Sequence, residues 1–238
     1  MNVHISLAAE TIFRLGFLSF TNSMLVSWLV TIFLILFAKT ATKKIKTIPG
    51  RAQNLAEMII DGLLSFFEDV VGKNARKFLP LVATFFIFIV LSNWSGLLPG
   101  VGTIGFYVHE HGHEIFVPFL RGATADLNTT FALAIISVLA IHYYAFKHLG
   151  SSKYILSRFV NPIGILELMA DVAKVLSFSF RLFGNIFAGE VLLTVIAGLM
   201  PIIAPLPFIG LELFVGLIQG LVFTMLTIIF LNTGVETH

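Results

Sequence analysis

Five apolar stretches separated by polar segments dominate the chain: Asn22 to Ala38, Phe78 to Leu98, Leu127 to Phe146, Pro162 to Leu199 and Leu206 to Leu231. A hydrocarbon core of roughly 30 Å is crossed by a helix of about 20 residues, so each stretch reads as one crossing. The second and third carry no Asp, Glu, Lys or Arg. Between the first two, Leu55, Ile59, Leu63, Phe66, Phe67 and Val70 recur at helical spacing over 52–71, while Glu57, Asp61, Glu68 and Asp69 take other positions. That pattern predicts an amphipathic helix lying along the membrane interface. The expected architecture is an all-α polytopic membrane protein. It forms a single membrane domain over 1–238, with spans at 22–38, 78–98, 127–146, 162–199 and 206–231, an interfacial helix at 52–71 and an external loop at 99–125.

Composition supports this reading. Of 238 residues, 57% are hydrophobic and 12% charged, against roughly a quarter charged in soluble domains, and the mean hydropathy is +0.96. Most of the exterior must therefore face lipid. The chain has no Cys, which excludes disulfides, thiolate metal sites and a Cys nucleophile. The Lys and Arg residues gather on no folded basic face, so nucleic-acid binding is excluded as a main activity.

Basic residues also orient the spans, because short loops rich in Lys and Arg stay cytoplasmic. Lys39, Lys43, Lys44, Lys46, Arg51, Lys73, Arg76 and Lys77 follow the first span, and Lys147, Lys153 and Arg158 follow the third. Arg14 and Arg121 fall on the other side. The N-terminus is expected outside and the C-terminus in the cytoplasm. Met1 to Thr21 lacks the basic start, short apolar core and small-residue cleavage site of a removable signal, and is expected to stay on the mature protein.

The fourth span is unusual. If wholly helical it measures roughly 57 Å at 1.5 Å per residue, so it must tilt or project beyond the bilayer. It also carries Glu167, Asp171, Lys174, Arg181, Asn185 and Glu190. Ionisable groups at membrane depth are expensive and mark pathways by default. At 100° per residue, Glu167, Lys174, Ser177, Arg181, Asn185 and Ala188 share one stripe, and Glu190 points the opposite way. In the fifth span, Glu212 and Gln219 share a face.

Pro201, Pro205 and Pro207 predict a hairpin between these two spans. Arg181 and Gln219 are centred on residue 200, and Glu190 and Glu212 on residue 201. A turn there would place Arg181 level with Gln219 and Glu190 level with Glu212, in layers roughly 14 Å apart. Paired carboxyls exchange protons with a water-filled vestibule. A guanidinium stays cationic at any accessible pH, so Arg181 would repel passing cations and attract an acid on a partner. Pairing of Arg181 with Glu167 or Asp171 is opposed by separations of about 15 to 21 Å along the helix.

These residues carry a family resemblance. Phe180-Arg181-Leu182-Phe183-Gly184-Asn185 with Ala188-Gly189-Glu190, Gln219 in the last span, and Ala125-Asp126-Leu127-Asn128 opening the third resemble subunit a of the F-type ATP synthases. The similarity extends across nearly the whole chain. It implies a stator that passes protons to a rotating ring of subunit c through two offset half-channels, with Arg181 facing the ring carboxylate and keeping the two paths from short-circuiting. It implies a bacterial plasma-membrane location, the peripheral-stalk subunit b as a further partner, no cofactor, and no catalytic chemistry within this chain. Glu190, Asn185 and Gln219 match positions in or beside the channels. Glu212 stands where bacterial relatives often have His, and Asp126 and Asn128 match polar positions at the outer mouth.

Small residues at Gly184, Ala188, Gly189, Gly216 and Gly220 permit close helix approach. His142 reads as a packing residue sooner than a relay. Lys174 either lines the inner half-channel or snorkels to the interface, and Glu167 and Asp171 lie nearer the cytoplasmic end. His109, His111 and His113, with Glu110 and Glu114, have metal-binding chemistry, but Gly112 and the alternating spacing suit a flexible loop, so no metal site is assigned. Two other function classes fit less well. An intramembrane enzyme lacks an activated nucleophile, an HExxH motif or a phosphate loop. A self-contained secondary transporter usually shows two related halves, and none is visible.

Overall fold

The structure, a computed structural model, describes residues 9–15, 18–110, 113–149, 162–200 and 203–236; Lys153, Arg158, His111 and Pro201 lie outside them. The elements are β1 (Thr11–Leu15), β2 (Leu18–Thr21), α1 (Asn22–Thr42), α2 (Arg51–Val71), α3 (Ala75–Ser95), β3 (Gly105–Glu110), β4 (His113–Pro118), α4 (Leu127–Leu149), α5 (Pro162–Leu199) and α6 (Pro205–Glu236). Among the described residues, five helices are long and apolar enough to cross a membrane, the second candidate joining α2 and α3. The protein is all-α and polytopic.

Several boundaries differ from the hydropathy reading, for local reasons. The first helix passes 38 and ends at Thr42. Thr40 and Thr42 donate their hydroxyls to the carbonyls of Phe37 and Ala38 at 2.8 Å, and Lys39 sits in the last turn, where a cation suits the helix dipole. The second crossing helix starts at Ala75 and stops at Ser95, short of Leu98. Just beyond it, Gly96 lies against the backbone of Gly122. The third runs past 146 because Lys147 and His148 favour the C-terminal dipole. The last opens on Pro205, a good first helical residue because its missing N–H would be unpaired there anyway.

The 99–125 loop is more ordered than expected from its glycines. β3 and β4 pair antiparallel, with Gly105 opposite Pro118 and Glu110 opposite His113, and the rings of Phe106 and Phe119 lie 5.2 Å apart. The aromatic and β-branched runs Phe106-Tyr107-Val108 and Ile115-Phe116-Val117 on either side of Gly112 have the composition of a strand pair. A second small hairpin, β1 with β2, precedes α1, stacking Phe13 on Phe20.

The chain divides into two compact units, and each of the five long helices contributes a portion to both. The first comprises Met1–Leu34, Ile87–Thr130 and Phe180–Gly220; the second comprises Ile35–Phe86, Phe131–Ser179 and Leu221–His238. The second has the more apolar interior: Phe67, Phe78, Val82, Ile228 and Leu231 are fully buried, and Leu63 joins the same cluster. Phe78 meets Tyr144 edge-on at 5.2 Å, and Phe223 lies between Phe85 and Phe178. Leu63 and Phe67, four residues apart, dock α2 into this core, while Leu55, Phe66 and Val70 remain exposed.

The first unit is built differently. Val26, Val30 and Ala123 form a small apolar cluster, but Asn22, Ser23, Ser92, Asn93, Arg121, Thr124, Asp126, Glu212 and Gln219 are also buried. Buried polar groups are tolerated when hydrogen-bonded, and their bonds define the candidate site.

Candidate functional site

On α5, Ser177, Arg181, Gly184, Asn185 and Ala188 are exposed, whereas Phe178, Leu182, Phe183, Ile186 and Gly189 are buried. The alternation follows the helical period: one stripe packs inward, and the other presents Arg181 among small residues. Of the stripe read from the sequence, Ser177, Arg181, Asn185 and Ala188 are exposed and Glu167 and Lys174 half-buried, while Leu176 and Phe180, off that stripe, are exposed as well. Gly184 has open space around its missing Cβ.

Within the first unit, two contacts join α5 to α6. Asn185 Nδ2 donates to Gln219 Oε1 at 2.7 Å, and Gln219 is buried. The Glu212 carboxylate lies against Gly189, in the space a Cβ would occupy. The expected pairing levels Arg181 with Gln219; the bond instead sets Asn185, one turn nearer the hairpin's turn, opposite Gln219. Helical side chains lean toward the N-terminus. For Gln219 that direction is toward the turn, so it reaches a residue closer to the turn than its own Cα level indicates.

The end of α3 braces α6 from another side. Asn93 Nδ2 donates to the Gly216 carbonyl at 2.8 Å, and Trp94 Nε1 to the Leu213 carbonyl at 3.0 Å. Thr124 Oγ1 donates to Asn93 Oδ1 at 2.6 Å. Gly216 makes this approach possible, since a Cβ there would lie 3.0 Å from that of Asn93. The bracing holds the segment between Glu212 and Gln219.

Glu190 faces Arg121. The Arg121 Nε lies 3.3 Å from Glu190 Oε2, with the Arg121 side chain 6% exposed and that of Glu190 38%, and the guanidinium sits 5.7 Å from the centre of the Phe187 ring. Sequence reasoning treats Arg121 as a loop charge. The available signal is that Arg121 is the sole Lys or Arg between 99 and 125, kept on the side where basic residues are sparse.

Asp126 and Asn128 sit where the loop becomes α4. Asp126 Oδ2 accepts from Ser23 Oγ at 2.9 Å, and Oδ1 accepts from the Asn128 backbone N–H at 3.1 Å and from Asn128 Nδ2 at 3.3 Å. This is helix capping joined to a tie onto α1. Asp126→Ala is therefore expected to destabilise the fold by about 1–2 kcal/mol, read as a lower thermal midpoint of the purified complex, with Asp126→Asn, which keeps the cap acceptor, losing much less.

In the second unit, Lys174 and His142 gather around Asp171. Its Oδ1 accepts from Lys174 Nζ at 3.0 Å, and its Oδ2 lies 3.4 Å from His142 Nε2. Lys174 also lies 4.7 Å from the centre of the Phe230 ring. His142, read from sequence as packing, thus belongs with the acid. Glu167 is half-buried.

Comparison with known proteins places this geometry in a family. The model for the ATP synthase A chain matches residues 24–232. The chain belongs to the ATP synthase A chain family. A protein named ATP synthase subunit a from Desulfotalea psychrophila is 38% identical over 222 residues, covering 90% of this chain and 84% of that one. Another of that name, from Moorella thermoacetica, is 32% identical over 232 residues, covering 95% and 96%. A protein named ATP synthase subunit a 2, from a Bradyrhizobium species, is 31% identical over 232 residues, covering 96% and 95%. As an F-type ATP synthase subunit a, the chain is a multi-pass membrane component of a larger complex.

Proposed function

We propose that this subunit a passes protons to and from a ring of subunit c through two half-channels, one drawn from the polar residues of each unit, and that subunit b of the peripheral stalk holds it still. The observation that carries the reading is the α5 stripe: Arg181, exposed between the small or short residues Ser177, Gly184, Asn185 and Ala188. Small residues let another helix approach closely, and a guanidinium facing that helix is suited to meet a carboxylate on it. A proton arriving on that carboxylate releases it from Arg181, and the neutral acid then moves on into lipid. A fixed cation at the contact prevents a proton from passing between the half-channels without rotation.

For one half-channel we assign Glu190, Glu212, Asn185 and Gln219, with Asp126 and Asn128 at its mouth. For the other we assign Asp171, His142, Lys174, Glu167 and Ser177. The basic loops orient the chain with its N-terminus outside and its C-terminus in the cytoplasm of a bacterium, so the Glu190 path opens outward. The exposed apolar face of α2 is suited to the lipid interface. ATP chemistry belongs to other subunits.

The absence of Cys makes a direct test clean. With one Cys at Ala188 and another near the ring's membrane carboxylate, oxidation is expected to give a cross-linked a–c product. Cross-linking from Thr194, on the far side of the helix, instead of Ala188 would mean that another face of α5 meets the rotor. Separately, Glu190→Gln is expected to slow passive proton flux by about tenfold or more, measured in vesicles stripped of the catalytic head, with the complex still assembled.

A further inference from the structure

Arg121 has no part in the channel assignment above, yet a guanidinium only 6% exposed within 3.3 Å of a proposed proton carrier is an expensive arrangement. Resting on the assignment of Glu190 as a proton carrier, we propose that Arg121 is a positioning residue that aims the Glu190 carboxylate and, as a fixed cation, prevents the carboxylates on this side of the protein from capturing an alkali cation.

The geometry supports both halves. Arg121 enters from the loop before α4, its guanidinium held over the Phe187 ring one turn from Glu190 on the same helix. A planar guanidinium restricts a carboxylate's direction more than a solvated partner does. Meanwhile the Glu212 carboxylate lies against Gly189, the residue just before Glu190. Glu212 from α6 thus brings a second carboxylate beside the backbone next to Glu190, and two carboxylates close together are the chemistry that binds hard cations. With Arg121 in place, one of the two negative charges is already matched. A proton still reaches Glu190 because it needs no cavity or multiple ligands, whereas a metal cation would have to displace the guanidinium.

The test is passive proton flux through head-stripped vesicles in NaCl and in choline chloride at equal ionic strength, so that screening is the same in both. Wild type is expected to conduct equally in the two salts. R121Q is expected to conduct several-fold less in NaCl than in choline chloride, while R121K, which keeps the charge, remains insensitive to the cation even if its flux is lower. Adding E190Q to R121Q is expected to remove the Na+ block, because one ligand is lost. A purely structural Arg121 would lower flux in both salts alike. Equal flux of R121Q in NaCl and choline, or a wild type blocked as strongly as R121Q, overturns the inference. If R121Q does not assemble, R121H replaces it: the imidazole faces Glu190, with Glu212 beside Gly189 on the other helix, and Na+ block is expected near pH 9 and not near pH 6. Equal block at both pH values, or none, overturns the inference as well. Normal flux in E190Q alone would instead sink the underlying assignment of Glu190.

Discussion

Arg181→Ala is expected to reduce ATP-driven proton pumping to background while the complex still assembles. The side chain is exposed on α5, so its removal leaves no cavity in the packed face of Leu182, Phe183 and Ile186. What is lost is a charge that no change of pH within reach can neutralise. Without it, a proton released from the rotor carboxylate on one path can return by the other with no rotation. Head-stripped vesicles should therefore leak protons at least as fast as wild type even though pumping has ceased. Arg181→Lys should fail too. An ammonium in low dielectric can give up its proton, and it offers a point charge where the guanidinium offers a planar fork. Coupled pumping retained by either variant would remove Arg181 from the centre of the mechanism.

The features that follow from a single helix are legible in the sequence. Periodicity alone puts Glu167, Lys174, Ser177, Arg181, Asn185 and Ala188 on one stripe, and the last four are exposed on α5 while the first two are half-buried. The partners of the buried polar groups are not legible, because a hydrogen bond across helices depends on rotations and side-chain directions that spacing does not fix. Arg121 and Glu190 are 69 positions apart, and Asn93 and Gly216 are 123 apart. The Gln219 contact shows the limit: symmetry about the turn puts the right two helices together, but side-chain lean moves its partner from the level of Arg181 to Asn185. His142 escapes for a similar reason. Nothing within α4 indicates that the Asp171 of α5 lies 3.4 Å from it.

Gly189→Val is expected to reduce passive proton flux by at least about tenfold with assembly preserved. The space where its Cβ would stand holds the Glu212 carboxylate, the free end of a flexible side chain, so the helices need not separate: the acid swings aside. Alanine at 189 displaces it by one carbon and should slow flux less than valine, whose β-branch also blocks the rotamers by which Glu212 would return. The cause can be isolated by a double-mutant cycle. If Gly189→Val acts by expelling Glu212, then Glu212→Gln, damaging alone, should add almost nothing in the Gly189→Val background, because residues in contact couple and distant ones add. Additive losses would mean that valine disturbs something else, such as the Asn185–Gln219 bond one turn along α5. The choice of Gly at 189 then has a chemical meaning beyond close packing: it leaves a carboxylate-sized recess beside Glu190, and an acid from the facing helix fills it.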